Sequence, residues 1–233
     1  MERSELIQTL IDRKKLRTYL EIGVSGGVVF FQIKCKKKIA VDPFFRFNWK
    51  GKLGEISRNI TNWRNSYFEI KSDEFFSRLA PSFLRKKKID ICLIDGMHEF
   101  RYALNDVINT LDYLDQDGII IMHDCNPQTA EAECSFSDWE KRGFTGLWNG
   151  DVWKVIVYLR ALRNDLNIFV ADCDHGLGVI TRGKNENPLQ GFKSFEEIDA
   201  LSYKDLESNR TGLLNLKSVS YLNKFYQNNQ DKR

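Results

Sequence analysis

The stretch Thr18-Tyr19-Leu20-Glu21-Ile22-Gly23-Val24-Ser25-Gly26-Gly27 decides the fold of this chain. Its first half has the pattern of a buried strand, and its second half is a turn of glycine and other small residues. A second apolar run, Ile39-Ala40-Val41, ends at Asp42. A strand, a small-residue turn, a second strand and a terminal carboxylate are typical of one half of a nucleotide-binding βαβ unit.

The residues of this unit also indicate which nucleotide it binds. A glycine has no Cβ, so the turn lets the backbone approach a ligand closely, and Asp42 can accept hydrogen bonds from both hydroxyls of a ribose. The dinucleotide fingerprint fails, because its second and third glycine positions, counted from Gly23, hold Ser25 and Val28. Glu21 would repel a pyrophosphate but hold an ammonium group. We therefore expect S-adenosylmethionine, with a dehydrogenase as the weaker alternative.

Composition narrows the class of protein. The chain has 233 residues and a net charge of +3 from 35 basic and 32 acidic residues, which is too balanced to favour nucleic acid as a partner. Its five cysteines form no Cys-x-x-Cys pair, which favours a reducing compartment. The sequence shows no signal-peptide pattern and no apolar run of membrane-spanning length. We expect a cytoplasmic protein without membrane insertion.

Two clusters of basic residues, at 36–38 and 85–88, each precede an apolar strand pattern. In an open α/β sheet, ligands bind at the opposite rim, where the strands end. We therefore expect both clusters to be solvated and to lie away from the ligand, with contact to an anionic partner or surface as the alternative.

The periodicity along the chain predicts strands that alternate with helices, and therefore a parallel sheet covered on both faces. The predicted strands are 18–22, 38–42, 67–70, 89–94 and 119–122. Two later strands, 167–171 and 176–181, are close enough in sequence to form a hairpin. The expected fold is thus α/β and Rossmann-like, a mostly parallel sheet with helices on both faces and an antiparallel edge hairpin.

We expect a single domain over 1–233. Its core covers about 15–183, and a helical C-terminal extension covers about 194–233. Residues 125–150 have a looser pattern, which is typical of an active-site lid or a substrate loop.

Polar residues follow two of the predicted strands. The fourth ends in Asp95-Gly96-Met97-His98 and the fifth in His123-Asp124. Because the carboxyl ends of neighbouring parallel strands meet at one edge, these side chains should converge. His98 and His123 are candidate bases, since imidazole titrates near neutrality. The alternatives are that His98 caps the following helix and that His123-Asp124 is a structural hydrogen-bonded pair.

Taken together, Glu21-x-Gly23, Asp42, Asp95-Gly96-x-His98 and His123-Asp124 resemble the class I S-adenosylmethionine-dependent methyltransferases. Within that class they resemble the bacterial group that includes macrolide-sugar O-methyltransferases and cephalosporin-hydroxylase-like proteins. The resemblance covers about residues 15–183.

The resemblance implies roles for the residues around the donor. The methionine part of S-adenosylmethionine would lie against Gly23, Ser25 and Gly26, with Glu21 nearby. Asp42 would bind the ribose. The remaining donor contacts would come from Ser72 and Asp73 at the adenine and from Asp95 beside the sulfonium and the acceptor.

In divalent-dependent relatives, an acid at the position of Asp95 and a pair at the end of the fifth strand hold a metal such as Mg²⁺. Here that set would be Asp95, His123 and Asp124, and its imidazole suits softer metals better.

The expected reaction is methyl transfer to a hydroxyl of a small molecule or a sugar. His98, His123 and Asp95 would be the catalytic residues. Two alternatives are an N-methyltransferase of the same fold and a non-catalytic Rossmann-like binding module. Association into a homo-oligomer is also compatible with the sequence.

Overall fold

A computed structural model describes residues 1–85 and 88–228 of the chain. These residues form two compact units. Unit 1 comprises Met1–Gly96 and Asn105–Ile121, and unit 2 comprises Met97–Leu104 and the chain from Met122 onward. The single-domain expectation stays a prediction.

Unit 1 is built on five neighbouring strands in the order β3-β2-β1-β4-β5. Strand β1 pairs in parallel with β2 on one side and β4 on the other. The register sets Ile22 opposite both Val41 and Ile94, so β1, β2 and β4 end side by side. The strand bounds are β1 (Thr18–Ile22), β2 (Lys37–Asp42), β3 (Ser66–Glu69), β4 (Ile89–Ile94) and β5 (Leu114–Met122).

Helices accompany these strands along the chain. The bounds are α1 (Arg3–Lys14), α2 (Val28–Gln32), α3 (Trp49–Arg58), α4 (Ser72–Glu74), α5 (Ala80–Phe83) and α6 (Phe100–Tyr113). A 3₁₀ helix (Ile60–Arg64) follows α3, and a π-helical turn (Phe75–Leu79) joins α4 to α5. Helix α1 buries its apolar stripe of Leu6, Ile7, Leu10 and Ile11, as its spacing predicts.

Unit 2 contains the hairpin and the helices of the C-terminal part. Strands β6 (Leu166–Ala171) and β7 (Leu177–Arg182) pair antiparallel, and the short β8 (Leu216–Lys217) pairs in parallel with β6. The helices are α7 (Ala130–Glu133), α8 (Phe136–Lys141), α9 (Trp153–Leu162), α10 (Phe195–Asp199), α11 (Tyr203–Leu214) and α12 (Tyr221–Asn228). Helix α9 is buried along most of its length.

The predicted fold class is confirmed: the strands are mostly parallel, with an antiparallel hairpin, and helices flank them. Some boundaries differ from the predicted ones. The helical stretch between β2 and β3 is divided into two elements, because the side chain of Asn59 accepts a hydrogen bond from the Thr61 amide and starts the 3₁₀ turn. Strand β5 begins at Leu114 instead of Ile119, and β8 interrupts the tail that was expected to be helical.

The first basic cluster is only partly solvated. Lys36 and Lys37 are exposed, but Lys38 is 1% exposed, and its ammonium donates to the carbonyls of Phe30 and Ile33 at 2.6 and 2.8 Å. The expectation was therefore wrong for Lys38, which lies on the buried side of β2. In the second cluster, Lys86 and Lys87 lie outside the described residues, as do residues 229–233 of the predicted extension.

None of the helices in the described part of the chain has both the length and the apolar character needed to cross a bilayer.

Candidate active site

The turn after β1 requires glycine at its first position. Gly23 has φ +85°, and a Cβ placed there would lie 2.0 Å from the carbonyl oxygen of Asp95. The Asp95 amide in turn donates to the Ile22 carbonyl at 2.9 Å. The glycine therefore lets the end of β1 pack directly on the residue that follows β4.

Gly26, in the same turn, has a different setting. No described atom lies within 4 Å of a Cβ built there. The space beside Gly26 is thus open to a ligand, whereas the space beside Gly23 is filled by protein backbone.

Asp42 ties this turn to the end of β2. Its side chain is buried, with Oδ2 accepting from the Ser25 amide at 2.8 Å and Oδ1 accepting from the Phe44 amide at 2.7 Å. Each carboxylate oxygen has a second lone pair. Asp42 can therefore hold the turn and still accept hydrogen bonds from ribose hydroxyls.

Glu21 lies just below the turn and is 2% exposed. The Tyr19 hydroxyl donates to its carboxyl group. Burial raises the pKa of Glu21 to about 8, against the smaller opposing effects of Tyr19, Lys38 and Arg3. Glu21 is therefore largely protonated at neutral pH in the structure as described, and an ammonium placed beside it would favour the ionised form.

Asp95 has a cationic neighbour in unit 1. The Arg3 Nε atom lies 3.5 Å from Asp95 Oδ2, with both side chains partly buried. The N-terminal helix thus brings a positive charge to the residue that the resemblance places beside the sulfonium.

Ser72 and Asp73, expected near adenine, both contact helix α6. The Asn105 amide donates to Asp73, and Ser72 hydrogen-bonds to Asp106. Burial raises the pKa of Asp106 to about 7. Sequence analysis missed Asp106, because a single acid on an amphipathic helix gives no signal of its burial.

In unit 2, Asp124 is the centre of a hydrogen-bond network. Its Oδ2 lies 3.0 Å from Nδ1 of His98 and 3.1 Å from Nδ1 of His123, while its Oδ1 accepts from the Asn149 amide. Asp124 is 4% exposed and has φ +61°, a conformation that L-residues rarely adopt. The fixed backbone turns this carboxylate toward both histidines.

The two histidines have different surroundings. His123 is buried between two carboxylates, because its Nε2 lies 3.2 Å from Asp174 Oδ1. An imidazole held in this way is suited to the doubly protonated form and to a structural role. Asp174 was not among the sequence-predicted site residues, since it lies far along the chain from His123.

His98 is oriented through one nitrogen. Its Nδ1 lies 2.9 Å from the carbonyl oxygen of Trp148 as well as near Asp124. A carbonyl oxygen only accepts, so Nδ1 carries the proton and Nε2 is the basic nitrogen of the neutral ring. The amide of Phe100, at the start of α6, donates to Asp151 at 2.6 Å. This hydrogen bond argues against the alternative that His98 caps the helix.

A four-residue segment, Trp148–Asp151, surrounds His98. The Trp148 ring stacks on the His98 ring at 4.9 Å between centroids, and it also stacks on Trp139 at 4.8 Å. A Cβ on Gly150, which has φ +61°, would lie 1.6 Å from the His98 carbonyl oxygen. The stacked rings of Trp148 and Trp139 therefore anchor this segment beside His98.

The predicted metal set of Asp95, His123 and Asp124 stays a prediction. Within unit 2, both ring nitrogens of His123 face carboxylates, and the Asp124 oxygens are engaged by His98, His123 and Asn149. His123 does not fit a ligand role in this arrangement. No catalytic step is therefore derived through a metal.

Comparison with known proteins indicates which class of reaction this site supports. Residues 20–125, which hold the glycine turn, Asp42 and the two strand-end motifs, match the family model described as a methyltransferase domain. Together with the fold, this match decides the class. The chain carries a methyltransferase domain and has the fold of the class I S-adenosylmethionine-dependent methyltransferases. No curated protein is significantly similar to the sequence of this methyltransferase.

Solved structures share the fold of the methyltransferase at low sequence identity. The O-methyltransferase TomG from Streptomyces achromogenes, in complex with S-adenosylmethionine, has a TM-score of 0.55 at 10% identity, over 77% of this chain and 79% of its own. PaMTH1 from Podospora anserina, bound to S-adenosylhomocysteine (SAH), gives 0.51 at 18% identity, over 77% of each chain. An O-methyltransferase from Bacillus cereus, also with SAH, gives 0.51 at 14% identity, over 76% of this chain and 78% of its own.

Proposed function

We propose that this methyltransferase methylates a hydroxyl group of a small-molecule acceptor, with His98 as the general base. In the reaction, the acceptor oxygen attacks the methyl carbon, the carbon–sulfur bond breaks, and SAH leaves as a neutral thioether. The acceptor's proton goes to Nε2 of His98. Alignment of the two reactants and removal of the proton are the two contributions that the protein supplies.

The single observation that carries this proposal is the orientation of the His98 ring. Nδ1 is held by Asp124 and the Trp148 carbonyl, so the basic nitrogen has a defined direction. Asp124 stabilises the imidazolium that forms when Nε2 takes the proton. An oxygen nucleophile needs such a base, because a neutral hydroxyl is a poor nucleophile. Names of structurally similar proteins, among them TomG, point to O-methylation as well.

For the donor, we propose that Gly23, Ser25 and Gly26 line the methionine part and that Asp42 binds the ribose. The open space at Gly26 and the unused lone pairs of Asp42 support this assignment. We further propose Ser72 and Asp73 for the adenine, and Glu21 and Asp95 for the charged end of the donor. A cytoplasmic location and self-association stay predictions.

A polyhydroxylated acceptor such as a sugar suits a cavity in unit 2. It has a volume of about 340 Å³, and its lining includes Glu99, Glu133, Asp151 and Tyr102. Carboxylates and tyrosines are side chains that bind sugar hydroxyls. Asp151 also holds the amide of Phe100, two residues after His98, so the cavity adjoins the segment that carries the base.

The test is a screen of sugar and phenolic hydroxyl acceptors, followed by the pH dependence of kcat for wild type and His98→Gln. We expect SAH formation with a hydroxyl acceptor and a loss of about 10²–10⁴-fold in kcat for His98→Gln, with unchanged SAH affinity. His175→Gln, at an exposed histidine, is the matched control and should behave as wild type. Full activity of His98→Gln, particularly on amines, would contradict the proposal and favour an N-methyltransferase.

A further inference from the structure

Helix α3 and the 3₁₀ helix after it expose large apolar side chains to solvent. Trp49 is 65% exposed, Leu53 53%, Ile60 75% and Trp63 70%. None of the ten residues of α3 is buried. Single exposed apolar residues are ordinary, but four in one short segment, two of them tryptophans, mark an interaction surface.

Basic residues are interleaved with these side chains. Residues 44–64 contain five basic residues and one acid, a net charge of +4 in a chain whose total is +3. A groove of about 450 Å³ is lined by Lys36, Ile60, Thr61, Trp63 and Arg64. We call Trp49, Leu53, Ile60 and Trp63, with Lys36, Lys50 and Arg64, the aromatic–basic surface.

This surface is held firmly on unit 1. The Asn59 side chain donates to the Phe31 carbonyl at 2.9 Å. The Asn62 side chain donates to the same carbonyl at 3.1 Å and to the Glu55 carbonyl at 3.0 Å. These buried amides fix the 3₁₀ helix and the end of α3, so the outward direction of their apolar side chains is built into the fold.

We propose that the aromatic–basic surface docks the protein on the face of an anionic lipid bilayer. Tryptophan favours the interface between headgroups and acyl chains, and lysine and arginine are attracted to anionic headgroups. Leucine and isoleucine between them supply the apolar area that shallow insertion needs.

The positive charge of the aromatic–basic surface argues against a second copy of this chain as its binding partner. A symmetric contact through this surface would place Lys36, Lys50 and Arg64 against the same residues of the other copy. Aliphatic side chains as exposed as Leu53 and Ile60 are also unsuited to a nucleic-acid backbone, which offers phosphates and sugars.

The experiment is flotation of the full chain with vesicles of phosphatidylcholine alone or with about one third phosphatidylglycerol, at low and high salt. Two double variants test the two components: Trp49→Ala/Trp63→Ala and Lys50→Glu/Arg64→Glu. The control, Leu147→Ala/Lys184→Glu, changes one exposed apolar and one exposed basic residue elsewhere. Thermal unfolding and SAH binding verify that each variant is folded.

We expect wild type and the control to float with the anionic vesicles and to be released by salt. The charge variant should bind at least about 30-fold more weakly, since each basic residue near an anionic surface contributes roughly a factor of five. The tryptophan variant should also lose binding. Absence of flotation by wild type would overturn the proposal, as would unchanged flotation of both variants. Wild-type dimers that the tryptophan variant abolishes, or binding to single-stranded nucleic acid in place of vesicles, would also overturn it.

Discussion

At the scale of single residues, the chain buries ionisable groups where its chemistry needs them. Glu21 lies under the glycine turn with a pKa of about 8, and Asp124 joins two histidines at a strained backbone position. The sequence predicted Glu21, Asp124, His98 and His123 as site residues, because polar groups at strand ends are conspicuous. It could not predict their different environments, which depend on partners distant in sequence, such as Asp174.

Burial of Glu21 has a measurable consequence for stability. Its pKa rises from 4.5 to about 8 on folding, so between these values the folded state binds more protons than the unfolded state. The contribution of Glu21 to the free energy of unfolding therefore falls as pH rises from about 4.5 to about 8. Glu21→Gln removes this dependence. Between pH 5 and 8, the free energy of unfolding of the variant should therefore rise relative to that of wild type by an amount on the order of a few kcal/mol.

Urea unfolding of both proteins at several pH values measures this gain. Comparison with wild type cancels the parallel contribution of Asp106, whose pKa is also raised. A constant difference between variant and wild type across the pH range would show that Glu21 is not buried as described.

At the scale of elements, the parallel strands could be predicted well and their connections less well. Apolar runs place β1 and β4 at their predicted bounds, because buried parallel strands have a continuous apolar pattern. The segment Trp148–Asp151 carries polar, aromatic and glycine residues without periodicity, so its contact with His98 could not be predicted from a local pattern. Lys38 was placed in solvent because burial of a lysine depends on acceptors, here backbone carbonyls, that a charge pattern does not reveal.

The glycine turn allows a matched comparison at this scale. Gly23→Ala introduces a Cβ that would overlap the Asp95 carbonyl at a positive φ, so we expect it to lower the free energy of unfolding by at least about 2 kcal/mol and to abolish SAH binding. In Gly26→Ala, the added Cβ points into open space, so the variant should fold as wild type does. It should bind SAH more weakly, because the Cβ takes up space that the ligand needs.

Thermal unfolding and calorimetric titration separate the two effects. A Gly26→Ala variant that binds SAH with wild-type affinity would remove Gly26 from the donor site. A stable Gly23→Ala variant would contradict the described contact between the turn and Asp95.

At the scale of the whole molecule, the two units carry different parts of the proposed chemistry. Unit 1 holds the glycine turn, Asp42 and Asp95, and unit 2 holds His98 with its supporting network. The sequence indicated the fold class and the donor because both depend on short local motifs. The acceptor depends on loops and helices of unit 2, where local patterns are weakest, and fold likeness alone does not identify it.

Calorimetric titration with SAH, on wild type, Asp42→Ala and the control Asp12→Ala, tests the central claim most directly. The account predicts micromolar binding to wild type and to Asp12→Ala, whose exposed carboxylate lies on α1. Asp42→Ala should lose at least about tenfold in affinity, because the ribose hydroxyls lose a charged acceptor. If wild type shows neither heat of binding nor thermal stabilisation by SAH, the protein is not a methyltransferase that uses this donor.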